Sequence, residues 1–207
     1  MPVHLVRHAV AEDALVRLRD RSTSPGDFRA QARRIALVVA HEATRTLPTT
    51  PARVETPLEP ADGARLAANV VVVPVLRAGL GMVEAVLTLV PDARVGHVGL
   101  ERDEHTAVAR AYFSRLPPDL TGATALVVDP MLATGGSAIT TLALLRDAGA
   151  ADVRLLCIVA APEGIAAVEA AHPATAIYTP AIDRELDARK FILPGLGDFG
   201  DRLYDTA

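Results

Sequence analysis

The sequence predicts an α/β fold in which a central, mainly parallel sheet is flanked by helices. Three observations carry this. Short β-branched runs alternate with apolar-periodic segments through the second half of the chain, the rhythm of successive strand–helix–strand units. Half of the residues are apolar while only 3% are aromatic, a balance that suits close packing of helices on a sheet rather than an aromatic-lined barrel. The run Val127-Val128-Asp129-Pro130-Met131-Leu132-Ala133-Thr134-Gly135-Gly136-Ser137 ends a buried strand in an acid, turns through small residues and opens a helix.

At 207 residues the chain fits one domain with a full-sized core, and it contains no internal repeat or low-complexity stretch. Residues 27–47 set Phe28, Ile35, Val38, Val39 and Ala43 among charges, an amphipathic helix ended by Pro48. The Pro-rich stretch 48–63 reads as a connection. Residues 70–76 form a β-branched strand, 81–89 a helix and 94–100 a strand, while the polar stretch 101–110 has no period. Then come a strand over 124–129, a helix over 137–148, a strand over 153–160, a helix over 164–171 and a short strand over 175–179. From Pro180 the rhythm stops, and Pro194, Gly195, Gly197 and Gly200 make a rigid segment with exposed backbone. The single domain over 1–207 thus divides into a helical part at about 1–60, a core at about 65–180 and a C-terminal segment at about 180–207.

Bulk properties exclude several classes. A formal charge of −4 argues against a nucleic-acid partner. Lys190 is the single lysine among 21 basic residues, so phosphate clamps here are guanidinium forks. Cys157 stands alone in an apolar run, which rules out an intrachain disulfide and makes it an inert core thiol. Residues 1–16 carry Arg7, Glu12 and Asp13 and are no signal peptide. No uncharged apolar run approaches the roughly 18 residues of a membrane span. A soluble, cytoplasmic protein without a membrane partner is expected.

In open α/β sheets ligands gather beyond the carboxyl ends of the strands. There the turn Thr134-Gly135-Gly136-Ser137 aligns backbone N–H groups at a helix start, a nest for a phosphate monoester, beside Asp129, which can bind sugar hydroxyls or hold a metal near them. No Gly-Lys-Ser/Thr follows, so this is no P-loop. Gly195-Leu196-Gly197-Asp198-Phe199-Gly200 fits the three-glycine dinucleotide pattern but lacks its strand–helix context, since only seven residues follow and read as a polar tail. Arg77 sits at a strand end before Gly79 and Gly81, Arg102 opens the polar stretch, and Asp198 lies among glycines. Taken singly, these three read equally as a surface salt bridge, a solvated loop residue and an Asx turn.

Together they carry a resemblance. Pro74-Val75-Leu76-Arg77-Ala78-Gly79-Leu80-Gly81-Met82, Val95-Gly96-His97-Val98-Gly99-Leu100, the run from Asp129 to Ser137, Val159-Ala160-Ala161-Pro162-Glu163-Gly164, Ala171-His172-Pro173 and Pro194-Gly195-Leu196-Gly197-Asp198-Phe199-Gly200-Asp201-Arg202 closely resemble the uracil phosphoribosyltransferase family. Leu18-Arg19-Asp20, Phe28-Arg29 and His41-Glu42-Ala43-Thr44-Arg45 extend the match to essentially the whole chain. The resemblance implies a type I phosphoribosyltransferase fold with a C-terminal hood that binds the base. It implies conversion of uracil and 5-phosphoribosyl 1-diphosphate (PRPP) to UMP and diphosphate, in pyrimidine salvage. By the same resemblance Arg77, Arg102, Asp129 and Asp198 serve catalysis, and these with Pro130, Met131, Leu132, Ala133, Thr134, Gly135, Gly136 and Ser137 bind PRPP. Ile192, Gly197, Asp198 and Phe199 read uracil, mainly through main-chain groups. Mg2+ is carried largely by PRPP rather than by protein ligands. GTP enters as an allosteric activator that only some members use, and a homodimer or homotetramer is implied.

Two positions depart from the family pattern. Phe199 stands where many relatives carry a small residue, implying a tighter pocket wall, and Lys190 stands where relatives usually have glycine, a place where φ is positive if that glycine bends the chain. A phosphoribosyltransferase for a purine or another pyrimidine is the first rival, disfavoured by the stretch from Pro194 to Arg202. A non-catalytic nucleotide-sensing regulator of the same fold is the second, disfavoured by the intact loop, the two arginines and Asp198.

Overall fold

A computed structural model describes residues 3–67, 69–102 and 109–206. In chain order these form β1 (Val3–Leu5), α1 (Ala9–Arg19), α2 (Pro25–Thr44), β2 (Thr49–Glu55), β3 (Pro60–Leu66), β4 (Val70–Leu76), α3 (Leu80–Leu89), β5 (Arg94–Val95), β6 (His97–Arg102) and β7 (Ala109–Arg115). They continue with β8 (Thr124–Val128), β9 (Met131–Leu132), α4 (Gly136–Asp147), β10 (Asp152–Leu156), β11 (Val159–Ala160), α5 (Pro162–Ala171), β12 (Ala176–Thr179), β13 (Glu185–Leu186), β14 (Ile192–Leu193) and α6 (Phe199–Tyr204).

The main sheet runs β1-β12-β10-β8-β4-β6-β7, with β5 beside β4. Its pairings are parallel except for the antiparallel β6–β7 pair at one edge. Both faces are covered, and strand alternation sorts the core into two halves. On β4, Val70 and Val72 point into a cluster with Leu18, Phe28, Ile35, Met82 and Val86 from α1, α2 and α3. Val71, Val73 and Val75 point the other way, into a cluster with Leu142, Leu145 and Val168 from α4 and α5. Helix α2 starts where the sequence provides a cap: Ser24 Oγ accepts from Asp27 N–H at 3.2 Å and Pro25 fills the first turn.

Several expectations need correction. The stretch 48–63 is no plain connection, because Thr49–Glu55 and Pro60–Leu66 pair as an antiparallel hairpin, β2–β3. The strand over 94–100 breaks at Gly96, whose N–H bonds Val72 C=O at 3.0 Å, and so becomes β5 and β6. Glu101 and Arg102 extend β6 and pair with Arg110 and Ala109, so the described ends of the polar stretch are strand; residues 103–108 lie outside the described residues. The apolar run 153–160 is two strands, because Ile158 and Val159 N–H both turn onto Pro130 C=O at 3.0 Å and β11 then pairs with β9. The residues after Gly200 are no loose polar tail: Asp198 caps α6, and Phe199 and Leu203 are 2% exposed in the core.

This topology opens a crevice at one end of the sheet. From β4 the chain proceeds outward to β6 and β7, and from β8 it proceeds the other way to β10 and β12. The order therefore reverses between the neighbours β4 and β8, and a crevice opens at their carboxyl ends. Those ends deliver Arg77 and Asp129.

Candidate active site

The cradle after β8 is held from behind. Gly135, at φ +84°, starts α4 without a side-chain cap, and no acidic residue occupies the first turn. Among the described residues the amides of Gly136, Ser137 and Ala138 find no acceptor, as at any uncapped helix start, so they face a cleft of about 80 Å3 lined by Asp129, Met131, Leu132, Ala133, Thr134, Gly135, Gly136, Ser137 and Ala138. Behind the loop lies α5: a Cβ on Gly164 would fall on Ala133 C=O and stand 2.9 Å from Leu132 C=O. Pro130 supplies the carbonyl that receives the Ile158 and Val159 amides, and Ala161 N–H reaches Leu132 C=O at 2.8 Å. The cradle's shape thus comes from backbone packed on backbone.

A second cleft, of about 160 Å3, is lined by Met131, Ala133, Lys190, Phe191, Ile192, Gly197, Asp198 and Phe199. Met131 and Ala133 belong to both clefts, so the two are contiguous. Gly197 sits at φ +80°. Phe199 lines the cleft but is only 2% exposed, because its ring packs edge-on against Phe28 with centroids 5.1 Å apart. The bulk expected to narrow the pocket is thus mostly turned into the core. Lys190 has φ +70°: the lysine keeps the backbone turn expected of glycine, inside a tight loop where Asp187 Oδ1 accepts from Arg189 and Phe191 N–H, each at 2.8 Å.

Asp198 Oδ1 accepts from Asp201 N–H at 2.9 Å, so its carboxylate caps α6 while staying exposed. Arg77, after the cis Leu76–Arg77 peptide, lies against the same helix. Its Nη2 meets Asp201 Oδ1 at 3.2 Å, its guanidinium lies 6.0 Å from the Tyr204 ring centroid, and its carbonyl accepts from Tyr204 O–H at 3.3 Å. A Cβ on Gly200 would stand 3.4 Å from Asp198 Oδ1 and 4.0 Å from Arg77 Nη2, so both charged groups flank that glycine. The surface salt bridge and the Asx-type cap that each residue suggested alone are both present. Arg102 ends β6, and its side chain lies outside the described part of the structure. Lys190 and Phe191 line the second cleft, and Asp201 and Tyr204 hold Arg77, though none of the four was named as a site residue; only the departure at Lys190 and the stretch ending at Arg202 drew attention to this part of the chain.

Among the described residues, Asp129 is the one titratable group lining the cradle. Burial at the strand end pushes its carboxyl up from 3.8 to about 7, and a long 3.5 Å bond from Met131 N–H offsets this only in part. Cys157 is buried, and burial first, then the Asp129 charge, hold its thiol well above the usual range. It stays the inert core thiol that the sequence suggested.

Solved phosphoribosyltransferases share this arrangement of strands and helices. The hypoxanthine phosphoribosyltransferase of Trypanosoma cruzi superposes with a TM-score of 0.52 at 13% identity, over 76% of this chain and 75% of that one. One from Staphylococcus aureus gives 0.52 at 10% identity, over 81% and 85%. These likenesses show the type I phosphoribosyltransferase fold. Within it, the model of the uracil phosphoribosyltransferase family matches residues 5–206. Proteins named uracil phosphoribosyltransferase from Symbiobacterium thermophilum and Clostridium acetobutylicum are 46% identical over 205 residues and 47% over 202, covering 99% and 97% of this chain and 98% and 97% of theirs. The AQ2163 protein from Aquifex aeolicus superposes with a TM-score of 0.94 at 33% identity, over 100% of this chain and 99% of that one. The chain belongs to the uracil phosphoribosyltransferase family.

Proposed function

We propose that this chain transfers the phosphoribosyl group of PRPP to uracil, releasing diphosphate and forming UMP. The observation that carries the reading is the contiguity of the two clefts through Met131 and Ala133, beside the strand end that presents Asp129. An anion nest and a small cleft that meet in this way suit a ribose 5-phosphate on one side and a planar base on the other.

Amides and hydroxyls over residues 134–137 hold the 5′-phosphate, where the α4 dipole favours the anion. Asp129 faces the ribose hydroxyls, and its ionised form gains the partners that the free site gives it only weakly. Arg77 and Arg102 neutralise the diphosphate as the C1′–O bond breaks. For Arg77 this means sharing or leaving Asp201. Uracil N1 forms the new bond to C1′ and loses its proton. Positive charge developing on the ribose is stabilised by position and electrostatics, so no protein nucleophile takes part.

Among the described residues no group of three or more His, Cys, Asp or Glu side chains could cage a metal. A single acid at the cradle fits a magnesium ion that arrives on substrate oxygens, and Asp129 would be the residue to help hold it. When bound, such an ion supplies charge neutralisation to the leaving diphosphate. A homo-oligomer and the GTP activation that some family members use are implied by the family resemblance; with the cytoplasmic location expected from the sequence itself, they extend this proposal. Gel filtration and assays with and without GTP read the first and the last.

Turnover with PRPP, Mg2+ and each of uracil, cytosine, orotate and hypoxanthine tests the reading. Uracil is expected to be used far faster than the others. Preferred use of another base, or binding of PRPP without any transfer, would overturn it.

A further inference from the structure

The cleft assigned to uracil is bounded by main chain near Ile192, Gly197 and Asp198, and something must keep that main chain in one orientation. Gly195 lies between them with both of its polar groups taken by side chains. Its N–H donates to Asp183 Oδ2 at 2.9 Å and its C=O accepts from Arg19 Nη1 at 2.8 Å. Arg19 and Asp183 close the ring through a two-point contact at 2.8 and 2.6 Å, with Asp183 only 7% exposed. The next carbonyl, of Leu196, accepts from Arg202 Nη1 at 2.7 Å. The same guanidinium donates to Leu18 C=O and, at 2.6 Å, to Asp20 C=O, and it lies 4.5 Å from the Phe28 ring centroid. Two arginines therefore tie consecutive peptides of the loop to the end of α1.

This restraint reaches the cleft. Gly195 has φ +60°, and a Cβ on it would fall on Ile192 C=O, so holding Gly195 holds that carbonyl in place. The Arg202 stem lies under Gly197, where a Cβ would be 3.6 Å from Cδ. A peptide plane free to rotate exchanges a donor for an acceptor, and uracil differs from cytosine by such an exchange on its edge.

Accepting the uracil reading above, we infer that Arg19, Asp183 and Arg202 are positioning residues that set base selectivity by fixing the peptide planes of residues 192–197. Asp183 is buried and Arg19 half-buried; an ion pair taken from water in this way is weak grounds for stability, and its best-attested use is to specify one arrangement. Arg19 must serve a carboxylate and a carbonyl at once, which needs a fork that lysine lacks.

Steady-state kinetics of Arg19→Lys and Arg202→Lys decide the matter, with folding checked by circular dichroism. Each variant is expected to raise the KM for uracil about tenfold or more, the scale of a lost charge-assisted hydrogen bond. The KM for PRPP should move no more than about twofold, because the cradle is untouched. The ratio of kcat/KM for uracil to that for cytosine should fall in both. Unchanged uracil KM and base ratio in the folded variants would overturn the inference, as would equal increases in both KM values. If only one variant folds, it decides; if neither folds, these residues are structural staples and the inference falls. A parent enzyme that does not use uracil defeats the functional reading itself, a result distinct from each of these.

Discussion

The α-carbon of Gly79 rests on the main-chain carbonyl of Val128: a Cβ there would fall on that oxygen and stand 2.7 Å from both Val75 N and Val75 O. The turn that carries Arg77 is thereby seated on the strand that delivers Asp129, at the point where the sheet order reverses. None of the three backbone atoms can yield. Gly79→Ala is therefore expected to cost about 3 kcal/mol or more and to lower turnover, since the two strand ends must separate. Denaturant midpoints of the parent and the variant check this, and a midpoint unchanged in Gly79→Ala would show that the contact can relax.

Asp129 couples activity and stability to pH with opposite signs. Its folded value of about 7 lies above the ordinary 3.8, so the folded state holds the proton more tightly than the unfolded state does. This contribution to stability is complete below pH 3.8 and is lost as pH rises through about 7. Asp129→Asn escapes the loss. At pH 8 it should be more stable than the parent by no more than about 4 kcal/mol, the bound set by the gap between 3.8 and about 7, and by less because the site is partly open to solvent. Its turnover should fall at least about tenfold. The parent's kcat/KM for PRPP should fall as pH drops below about 7, and that break should vanish in the variant. Thermal melts and pH–rate profiles of both proteins provide the comparison.

Gly197 has room for a side chain but not the backbone for one. The nearest atom to a Cβ is Arg202 Cδ at 3.6 Å, an ordinary contact, whereas φ +80° is strained for any β-branched residue. Gly197→Val should thus swing the peptide at the base cleft rather than fill it. A severe rise in uracil KM with a much smaller change for PRPP is expected. An unchanged uracil KM would place the base elsewhere.

The parts of this molecule legible in the sequence are those whose signal is local. The β-branched run at 70–76 became β4 without change of bounds, and the strand, acid and small-residue turn before Ser137 became the connection from β8 to α4. The segments that misled are those whose structure depends on distant partners. Nothing local breaks the apolar run at 153–160; Pro130, a strand away, receives both amides at the break. The residues after Gly200 look like a tail until Phe28 meets Phe199 and anchors the start of α6. The hairpin β2–β3 carries Pro51 and Pro60 in its paired strands, which hid its alternation. At the site, Arg77 and Asp198 were legible as charges in glycine-rich turns, while their neighbours Asp201 and Tyr204 act only through tertiary contact.

Lys190 offers a direct measure of the cost of its turn. A lysine at φ +70° carries the strain of the left-handed region, and glycine would relieve it at the expense of a more flexible unfolded chain. Lys190→Gly is expected to raise stability by up to about 1 kcal/mol, read from the shift in denaturant midpoint.

That same residue is the only lysine of the chain, it is exposed, and it stands on the rim of the cleft assigned to the base. Once the α-amine is blocked at near-neutral pH, where it reacts first, an amine-directed dye has one side chain left to find, so the label lands beside the pocket without any engineered cysteine. Its emission would report occupancy as the base enters, and protection of Lys190 from acylation would give a binding isotherm on the unmodified protein.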